Sequence, residues 1–503
     1  MITVGNNVIK NQKNFWNDCI FHPTDAVEDS WGKRILDRIA KDKAINMVRV
    51  YAMFEDIVYY DDEGKVAYDF RVSDLRLDYL VEKGFDILIA YGMIPEILAS
   101  DKEELSNVSK NKTRYKGKML YTSKPNSIEL WEEICYEYTK HIVERYGEDT
   151  VAKWHLHCYN EPETPPFFMY NIPGVEGVDN RVLAREKEYF KMYCGFVNGI
   201  TRVSEKLCMG GPALAGNLVF FDAFLKDVKK ENVRLDYIAL HNYAGTGAGN
   251  AMERGFCVDN WLKKHEEYME VIRNNGFEDT ELVYDEWGMA ARGYGDIEDC
   301  PIFIERETEV FSAYYAKLIY KIIECGYKIS HLMICLSGQH EMKYDFTGFR
   351  NFFSLNFFAK PIYNGYILAS KLHEGLLEAK YDNDSLFVTP TKNENDEYAV
   401  LISYSSDKFQ EDIPEINEEV VFENIPDNQN VTIYCIDKEN TNPYRLYERM
   451  GLDRNLSEEN IRILREEGKI KPFKTLTSKD KISLKLTPNS VYLILTENKE
   501  NVL

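Results

Sequence analysis

The sequence predicts an α/β protein, a (β/α)8 TIM barrel with a C-terminal antiparallel β-sandwich domain. From about residue 17 to about residue 365, short apolar runs alternate with longer amphipathic segments, a pattern typical of βα units around a parallel sheet. After about residue 370 the pattern changes to short alternating strands separated by charged turns. The chain of 503 residues exceeds one ordinary hydrophobic core and fits a barrel of roughly 350 residues plus a smaller module.

Eight near-continuous apolar runs are the candidate barrel strands, because strands buried on both faces have this composition. The runs lie near Cys19–Phe21 and at Ile45–Tyr51, Phe85–Tyr91, Val151–Tyr159, Leu207–Gly211, Tyr237–His241, Glu281–Asp285 and His331–Leu336. Helical spacing predicts outer helices between them. One runs from Ser127 to Tyr146, just before Gly147, and another has a broad apolar stripe from Val310 to Ile323.

We predict that the barrel comprises residues 16–368 and the β-sandwich residues 369–503. The candidate sandwich strands include Glu397–Tyr404, Val431–Ile436, Ile482–Leu486 and Ser490–Leu495. A helical segment from about Ser457 to Glu467 interrupts them. We expect residues 1–15 to supply a further strand to the sandwich.

The net charge of −22 predicts a surface that repels nucleic acid and anionic membranes. No stretch approaches the roughly 20 apolar residues of a membrane span, and polar residues interrupt Met1 to Asn17 too early for a secretory signal. We therefore expect a soluble, cytoplasmic protein without nucleic-acid or membrane partners. The 10 cysteines lack CxxC spacing and are interpreted as reduced core thiols.

Two glutamates end apolar strands that should face each other across the barrel. Strand four runs into Asn-Glu-Pro, residues 160–162, and strand seven runs into Glu-Trp-Gly, residues 286–288. Active sites of such barrels lie at the C-terminal ends of the strands. Acetal cleavage needs a proton for the leaving oxygen and negative charge near the anomeric carbon. We therefore predict a retaining glycosidase with Glu161 as acid/base and Glu286 as nucleophile, roughly 5 Å apart.

Asp285 is a rival for the role of Glu286. Side chains alternate between the two faces of a strand, so we expect only one of these neighbours to point to the barrel axis. The position of Glu286 at the very end of the strand favours it.

Histidines and a tyrosine on strands four and six allow two interpretations each. His241 and Tyr243, at the end of strand six, are either packing residues or side chains that hydrogen-bond the sugar or the nucleophile. His155 and His157 share one face of strand four. Because the sequence offers no third ligand nearby, we favour polar packing inside the barrel over a metal site.

Several ordered segments carry a family resemblance. They are residues 15–16, 92–100, 141–147, 160–162, 189–193, 210–213, 236–243 and 360–364. In these segments the chain resembles glycoside hydrolase family 39, which includes β-xylosidases and α-L-iduronidases, over nearly its whole length.

The resemblance implies a retaining mechanism in which Glu161 matches the acid/base and Glu286 the nucleophile. It also implies that Asn160 bonds the 2-hydroxyl of the sugar and that His241 and Tyr243 belong to the −1 subsite. It implies no cofactor, and from the residues we expect no metal. Because β-xylosidases of the family commonly form tetramers, it suggests a homo-oligomer.

The chain departs from the xylosidase pattern at two strands. Strand two of the xylosidases ends in an Arg-Phe-His-Gly type motif, whereas this chain has Arg49-Val50-Tyr51-Ala52. At strand eight only Glu341 matches the family's glutamates, and an aromatic wall is missing. A pocket that lacks a hydroxyl-binding side chain discriminates poorly for that hydroxyl. We include Arg49, Tyr51, Glu341 and Trp287 among the candidate sugar-binding residues.

These features predict an exo-acting glycosidase of short oligosaccharides, most similar to a β-xylosidase. An α-L-arabinosidase or an iduronidase-like enzyme is the alternative within the class, and a cluster of Arg and Lys at the pocket would favour a uronate. The hypothesis from a different class is a sugar-binding barrel without catalysis.

Overall fold

The computed structural model describes residues 1–20, 30–106, 120–245, 257–291, 297–298, 300–336, 342, 344–406, 413–427 and 429–498. The strands are β1 (Ile2–Val4), β2 (Lys10–Asn11), β3 (Asp18–Ile20), β4 (Met47–Met53), β5 (Val58–Tyr60), β6 (Val66–Tyr68), β7 (Asp86–Gly92), β8 (His155–Cys158), β9 (Cys208–Leu214), β10 (Tyr237–Gly245), β11 (Glu281–Ala290), β12 (His331–Cys335), β13 (Gly375–Leu376), β14 (Ala379–Lys380), β15 (Leu386–Lys392), β16 (Tyr398–Tyr404), β17 (Ile416–Phe422), β18 (Gln429–Ile436), β19 (Pro472–Thr477), β20 (Ile482–Leu486) and β21 (Ser490–Asn498).

The helices are α1 (Ser30–Asp42), α2 (Phe54–Ile57), α3 (Arg71–Lys83), α4 (Ile128–Tyr146), α5 (Glu148–Val151), α6 (Val178–Thr201), α7 (Leu218–Glu231), α8 (Val258–Asn275), α9 (Glu309–Glu324), α10 (Pro361–Ala369), α11 (Pro443–Arg449) and α12 (Glu458–Glu467). Two 3₁₀ helices lie at Glu96–Leu98 and Pro301–Glu307.

Eight parallel strands form a closed barrel in the order β3, β4, β7, β8, β9, β10, β11 and β12. The barrel closes where Met333, Ile334 and Cys335 of β12 pair with β3. All eight predicted strands are present, so the predicted barrel is confirmed. The predicted helix before strand four is α4, whose N-cap Ser127 accepts a hydrogen bond from the Leu130 N–H.

The parallel register between β10 and β11 shifts by one residue near their C-terminal ends. Leu240 pairs with Tyr284, but the next residue, His241, pairs with Glu286. Asp285 is therefore an extra residue in β11, which is the definition of a β-bulge. Bulges are common beside active sites because they redirect side chains.

The C-terminal region contains a seven-stranded sheet and a four-stranded sheet. Their orders are β19, β18, β21, β16, β15, β13, β2 and β14, β1, β17, β20. A separate apolar core, which includes Ile2, Val4, Val400 and Ile494, joins residues of both sheets. The N-terminal strands thus contribute to both sheets; most pairs are antiparallel, but β1 lies parallel to β17.

Helix α9 lies between the barrel and the sandwich. Tyr314 and Tyr315 contact the barrel strand β11 through the Trp287 ring. On the sandwich side, the Ser403 hydroxyl donates a hydrogen bond of 3.0 Å to the Ala313 carbonyl oxygen. Arg445 forms a 3.0 Å ion pair with Glu309, whose side chain is fully buried.

All ten cysteines are free. None of the helices in the described part of the chain combines the length and the hydropathy needed to cross a bilayer.

Candidate active site

A fully buried arginine lies at the centre of the C-terminal mouth of the barrel. Arg49, from β4, donates hydrogen bonds of 2.8 Å to Glu286 Oε1 and 2.6 Å to Asn160 Oδ1. Its Nε lies 3.3 Å from Asp285 Oδ2 and donates a 3.1 Å bond to His157 Nε2. The planar guanidinium, carried by the second barrel strand, therefore fixes groups of the fourth and seventh strands relative to one another.

His241 links the two predicted catalytic glutamates. Its Nδ1 lies 2.8 Å from Glu161 Oε1 and 3.6 Å from Glu286 Oε2, while its Nε2 lies 3.6 Å from Asp285 Oδ2. Burial alone would lower the pKa of His241, but Glu286 and Asp285 raise this pKa to about 10. At neutral pH the imidazole is thus a cation between carboxylates.

The two glutamates meet at this histidine. One carboxylate oxygen of Glu161, one of Glu286 and a ring nitrogen of His241 all lie within 4.8 Å of one another. Strands four and seven therefore bring their acidic side chains together over the barrel axis, as the sequence predicted.

Tyr243 and Arg350 complete the surroundings of Glu286. The Tyr243 hydroxyl donates a 2.7 Å hydrogen bond to Glu286 Oε2. Arg350 in turn donates from Nη1 to the Tyr243 hydroxyl oxygen at 3.1 Å and to the Ala291 carbonyl at 2.7 Å. Each carboxylate oxygen of Glu286 thus accepts a hydrogen bond, which limits rotation of the carboxylate.

The positive charges around Glu286 lower the pKa of its carboxyl by more than burial raises it. Burial raises the pKa of the Glu286 carboxyl, but His241, Arg49 and Arg350 hold this pKa below its usual range. Burial likewise opposes ionisation of Asp285, whose pKa is nevertheless lowered to about 2 by Arg49 and His241. Both carboxyls are ionised at neutral pH, as a nucleophile must be.

The expectation that Asp285 and Glu286 lie on opposite faces of the strand is wrong. Both carboxylates contact Arg49, at 3.3 Å and 2.8 Å. The bulge at Asp285 interrupts the alternation and turns both side chains toward the barrel axis.

The segment after strand four turns sharply to present Glu161. Glu161 has a φ of +46°, and its N–H donates a 3.0 Å hydrogen bond to the Ala213 carbonyl. Such a conformation in a residue other than glycine is costly and is characteristic of functional sites. Two residues on, the buried Glu163 accepts hydrogen bonds from the N–H groups of Ala215 and Gly216 at 2.5 and 3.1 Å.

Burial, followed by the charge of Glu161, raises the pKa of Glu163 to about 7. Glu163 is therefore a second acidic group next to the acid/base candidate, with a proton affinity near neutrality. The sequence alone does not single out Glu163, because a Glu directly after Asn-Glu-Pro is indistinguishable from a loop residue.

Of the other predicted sugar-binding residues, Tyr51 lies at the mouth of the barrel and Trp287 does not. Tyr51 lies at the mouth, with its ring 5.1 Å from the Arg49 guanidinium carbon. Trp287 does not reach the mouth, which corrects its predicted role: the ring is fully buried and lies 5.7 Å from the Tyr315 ring of α9. Alternation after the bulge directs Trp287 outward. Glu341 lies outside the described residues.

Arg350 is a further functional candidate that sequence patterns do not reveal. It follows strand eight in an irregular segment without hydrophobic periodicity, and only tertiary contacts place it beside Tyr243. His157, in contrast, has the predicted packing role inside the barrel. Burial and the Arg49 charge lower the pKa of His157 to about 3, so its ring is neutral.

A closed (β/α)8 barrel whose C-terminal mouth holds two glutamates, clamped by an arginine and a histidine, defines a barrel hydrolase with a paired-carboxylate site. The family model for glycosyl hydrolases family 39 matches residues 2–479. The chain belongs to this family and is a glycoside hydrolase.

The chain is similar to known proteins in sequence and in structure. The chain is 24% identical over 506 aligned residues to a β-xylosidase from Caldicellulosiruptor saccharolyticus, covering 96% of this chain and 95% of that protein. Its structure is similar to a monomeric β-xylosidase from Caulobacter crescentus, with a TM-score of 0.81, 18% identity and 99% of both chains covered. A bacterial orthologue of human α-L-iduronidase gives a TM-score of 0.70 at 17% identity, covering all of this chain and 84% of that one.

Proposed function

We propose that the protein is a retaining exo-glycosidase of short oligosaccharides, with Glu286 as nucleophile and Glu161 as acid/base. The observation that carries this proposal is the spacing of the two glutamates, which have carboxylate oxygens within 4.8 Å of each other. Retaining enzymes separate their carboxyl groups by about 5–5.5 Å, whereas inverting enzymes leave about 6.5–9.5 Å for a water molecule.

In the first step Glu286 attacks the anomeric carbon while the bond to the leaving oxygen breaks and Glu161 transfers a proton to that oxygen. In the second step Glu161 removes a proton from water, and the water oxygen displaces Glu286 from the anomeric carbon. The hydrogen bonds of Arg49 and Tyr243 to Glu286 support this assignment, since they hold an ionised carboxylate in place.

The contact with Arg49 fixes the orientation of the Asn160 side chain. Its Oδ1 accepts the 2.6 Å hydrogen bond from Arg49, so its Nδ2 is the group left to donate to a sugar hydroxyl. This supports the assignment of Asn160 to the 2-hydroxyl next to the reacting carbon.

A β-xyloside is the favoured substrate class, since a curated β-xylosidase aligns over nearly the whole chain. A uronate-specific, iduronidase-like activity is the second candidate. Arg350 favours it, because this cation lies beside Tyr243 at the mouth and a uronate carboxylate needs a charge partner. Hydrolysis of 4-nitrophenyl β-xyloside, 4-nitrophenyl α-L-arabinoside and 4-methylumbelliferyl α-L-iduronide distinguishes the candidates; inactivity on both pentosides would reject the pentosidase assignment.

The mechanism is tested with two variants and one control. Glu286→Ala should abolish turnover, and azide should restore release of the nitrophenol with a glycosyl azide of inverted configuration. Glu161→Ala should slow turnover, and azide should give a product of retained configuration. Glu324→Ala, at the exposed C-terminal end of α9, serves as the control with normal activity.

Proton NMR of the first sugar anomer released by the wild type provides an independent measurement. Retention of configuration agrees with double displacement. Release of the inverted anomer, or full activity of Glu286→Ala, would refute the assignment.

A further inference from the structure

The opposite, N-terminal end of the barrel contains a second cluster of metal-ligating side chains. His155, Glu281 and His331 are the first residues of the fourth, seventh and eighth barrel strands. One potential ligand atom from each lies within 4.8 Å of the others. Two imidazoles and a carboxylate form a ligand set that Zn²⁺ accepts readily.

One distance within the cluster matches that expected between two ligands of a tetrahedral zinc ion. His155 Nε2 lies 3.2 Å from Glu281 Oε1, whereas ligand atoms on a tetrahedral zinc with bonds of 2.0–2.1 Å are about 3.3 Å apart. The rings of His155 and His331 are edge to face, with centroids 5.1 Å apart.

Asp18 holds the His331 ring in place in the way that a hydrogen-bonded carboxylate holds a metal-binding histidine. Asp18 Oδ2 lies 2.8 Å from His331 Nδ1, and Asp18 Oδ1 accepts a 2.9 Å hydrogen bond from the Met47 N–H. The carboxylate is thus fixed by the backbone of the neighbouring strand. This arrangement leaves Nε2 of His331 for a metal and is characteristic of histidine ligands.

The cluster is open to solvent and separate from the catalytic mouth. The side chains of His155, His331 and Glu281 are 12%, 22% and 32% exposed, so an ion has a route of entry. Inside the barrel, an apolar layer that includes Val283 and Met333 follows the cluster along the same strands. An ion here would not reach the glycosidic bond.

We propose that His155, Glu281 and His331 bind one Zn²⁺ at the N-terminal end of the barrel, with water as the fourth ligand. From the sequence alone His155 is expected to be a packing residue, since no third ligand lies nearby in the chain; Glu281 and His331 begin distant strands. The ion would join three strands at the base of the barrel and stabilise the fold without taking part in hydrolysis.

Each protein is treated with a chelator and then dialysed to equilibrium against ZnCl₂. The zinc bound per chain is then measured by elemental analysis. Wild type is compared with His331→Gln, Glu281→Gln and the matched control His141→Gln. His141 also forms a 2.7 Å contact with an aspartate, Asp74, and is 23% exposed, but it lies on an outer helix. Wild type and His141→Gln should each hold one zinc more per chain than the other two variants. Equal zinc in all four proteins would overturn the proposal.

A competing location is the catalytic cluster of Glu161, His241 and Glu286. Glu161→Gln distinguishes the two: retained zinc supports the N-terminal site, and zinc lost only in Glu161→Gln overturns it. Asp18→Asn should weaken zinc affinity about 10- to 100-fold. Since a variant can fail through misfolding, crystals of the wild-type protein soaked in ZnCl₂ provide a further measurement; an anomalous peak between the three side chains is expected, and its absence counts against the site.

Discussion

Replacing Glu163 by Gln should raise the free energy of unfolding relative to wild type, and this gain should be larger at alkaline pH than at acidic pH. The buried carboxyl has a pKa raised from 4.5 to about 7. Below pH 4.5 it is protonated in both the folded and the unfolded chain. Between 4.5 and about 7 the folded chain retains the proton that the unfolded chain releases, so the stability of the wild type falls as pH rises through this window.

The size of the effect follows from the two pKa values. The full difference corresponds to about 3 kcal/mol, of which about 2 kcal/mol is lost between pH 5.5 and pH 8. Gln does not ionise, and its amide oxygen can still accept the hydrogen bonds of Ala215 and Gly216. The free energy of unfolding of Glu163→Gln minus that of wild type should therefore increase by about 2 kcal/mol over this interval.

Urea unfolding followed by tryptophan fluorescence at the two pH values measures this difference. Glu63→Gln is the control, because it makes the same substitution at a side chain that is 72% exposed. A difference between Glu163→Gln and wild type that is the same at both pH values would refute the argument that burial keeps Glu163 protonated.

Three further variants test the contacts of the nucleophile. Tyr243→Phe removes the 2.7 Å hydrogen bond to Glu286 and should lower kcat/KM about 10- to 100-fold with the fold unchanged by circular dichroism; full activity would contradict a positioning role. His241→Gln removes a cation that lowers the pKa of Glu286, so the acid limb of the pH profile of kcat/KM should move to higher pH, and an unmoved limb would argue against this coupling. Arg49→Met leaves buried carboxylates without their partner and should reduce the free energy of unfolding by about 3–5 kcal/mol in urea titrations, whereas a loss below about 1 kcal/mol would show that the guanidinium is dispensable.

The barrel and its two glutamates could be predicted because both follow from one-dimensional patterns. Apolar runs mark the strands, and the closed eight-strand order places the ends of strands four and seven across from each other. Glu161 and Glu286 accordingly lie where the pattern placed them. Predicting that the two carboxylates lie close together requires only the barrel topology and not the details of side-chain packing.

Features that depend on register or on distant contacts could not be predicted. The extra residue Asp285 leaves the apolar run of strand seven intact, so the sequence carries no sign of the bulge. His155 and Glu281 are 126 positions apart and meet only because both begin barrel strands. Trp287 is a candidate sugar-binding residue by sequence, but the shifted alternation buries it.

The position of α9 implies that the two modules cannot be separated without cost to the chemistry. Trp287, next in sequence to Glu286, packs against Tyr315 of α9. On its other side, α9 contacts Ser403 and Arg445 of the C-terminal region. A shortened chain without the sandwich would leave Glu309 without its ionic partner and expose an apolar helix face to water. Helix α9 would then pack less firmly against β11, the strand that carries Glu286. The C-terminal module thus stabilises the position of the Glu286 carboxylate indirectly, through α9.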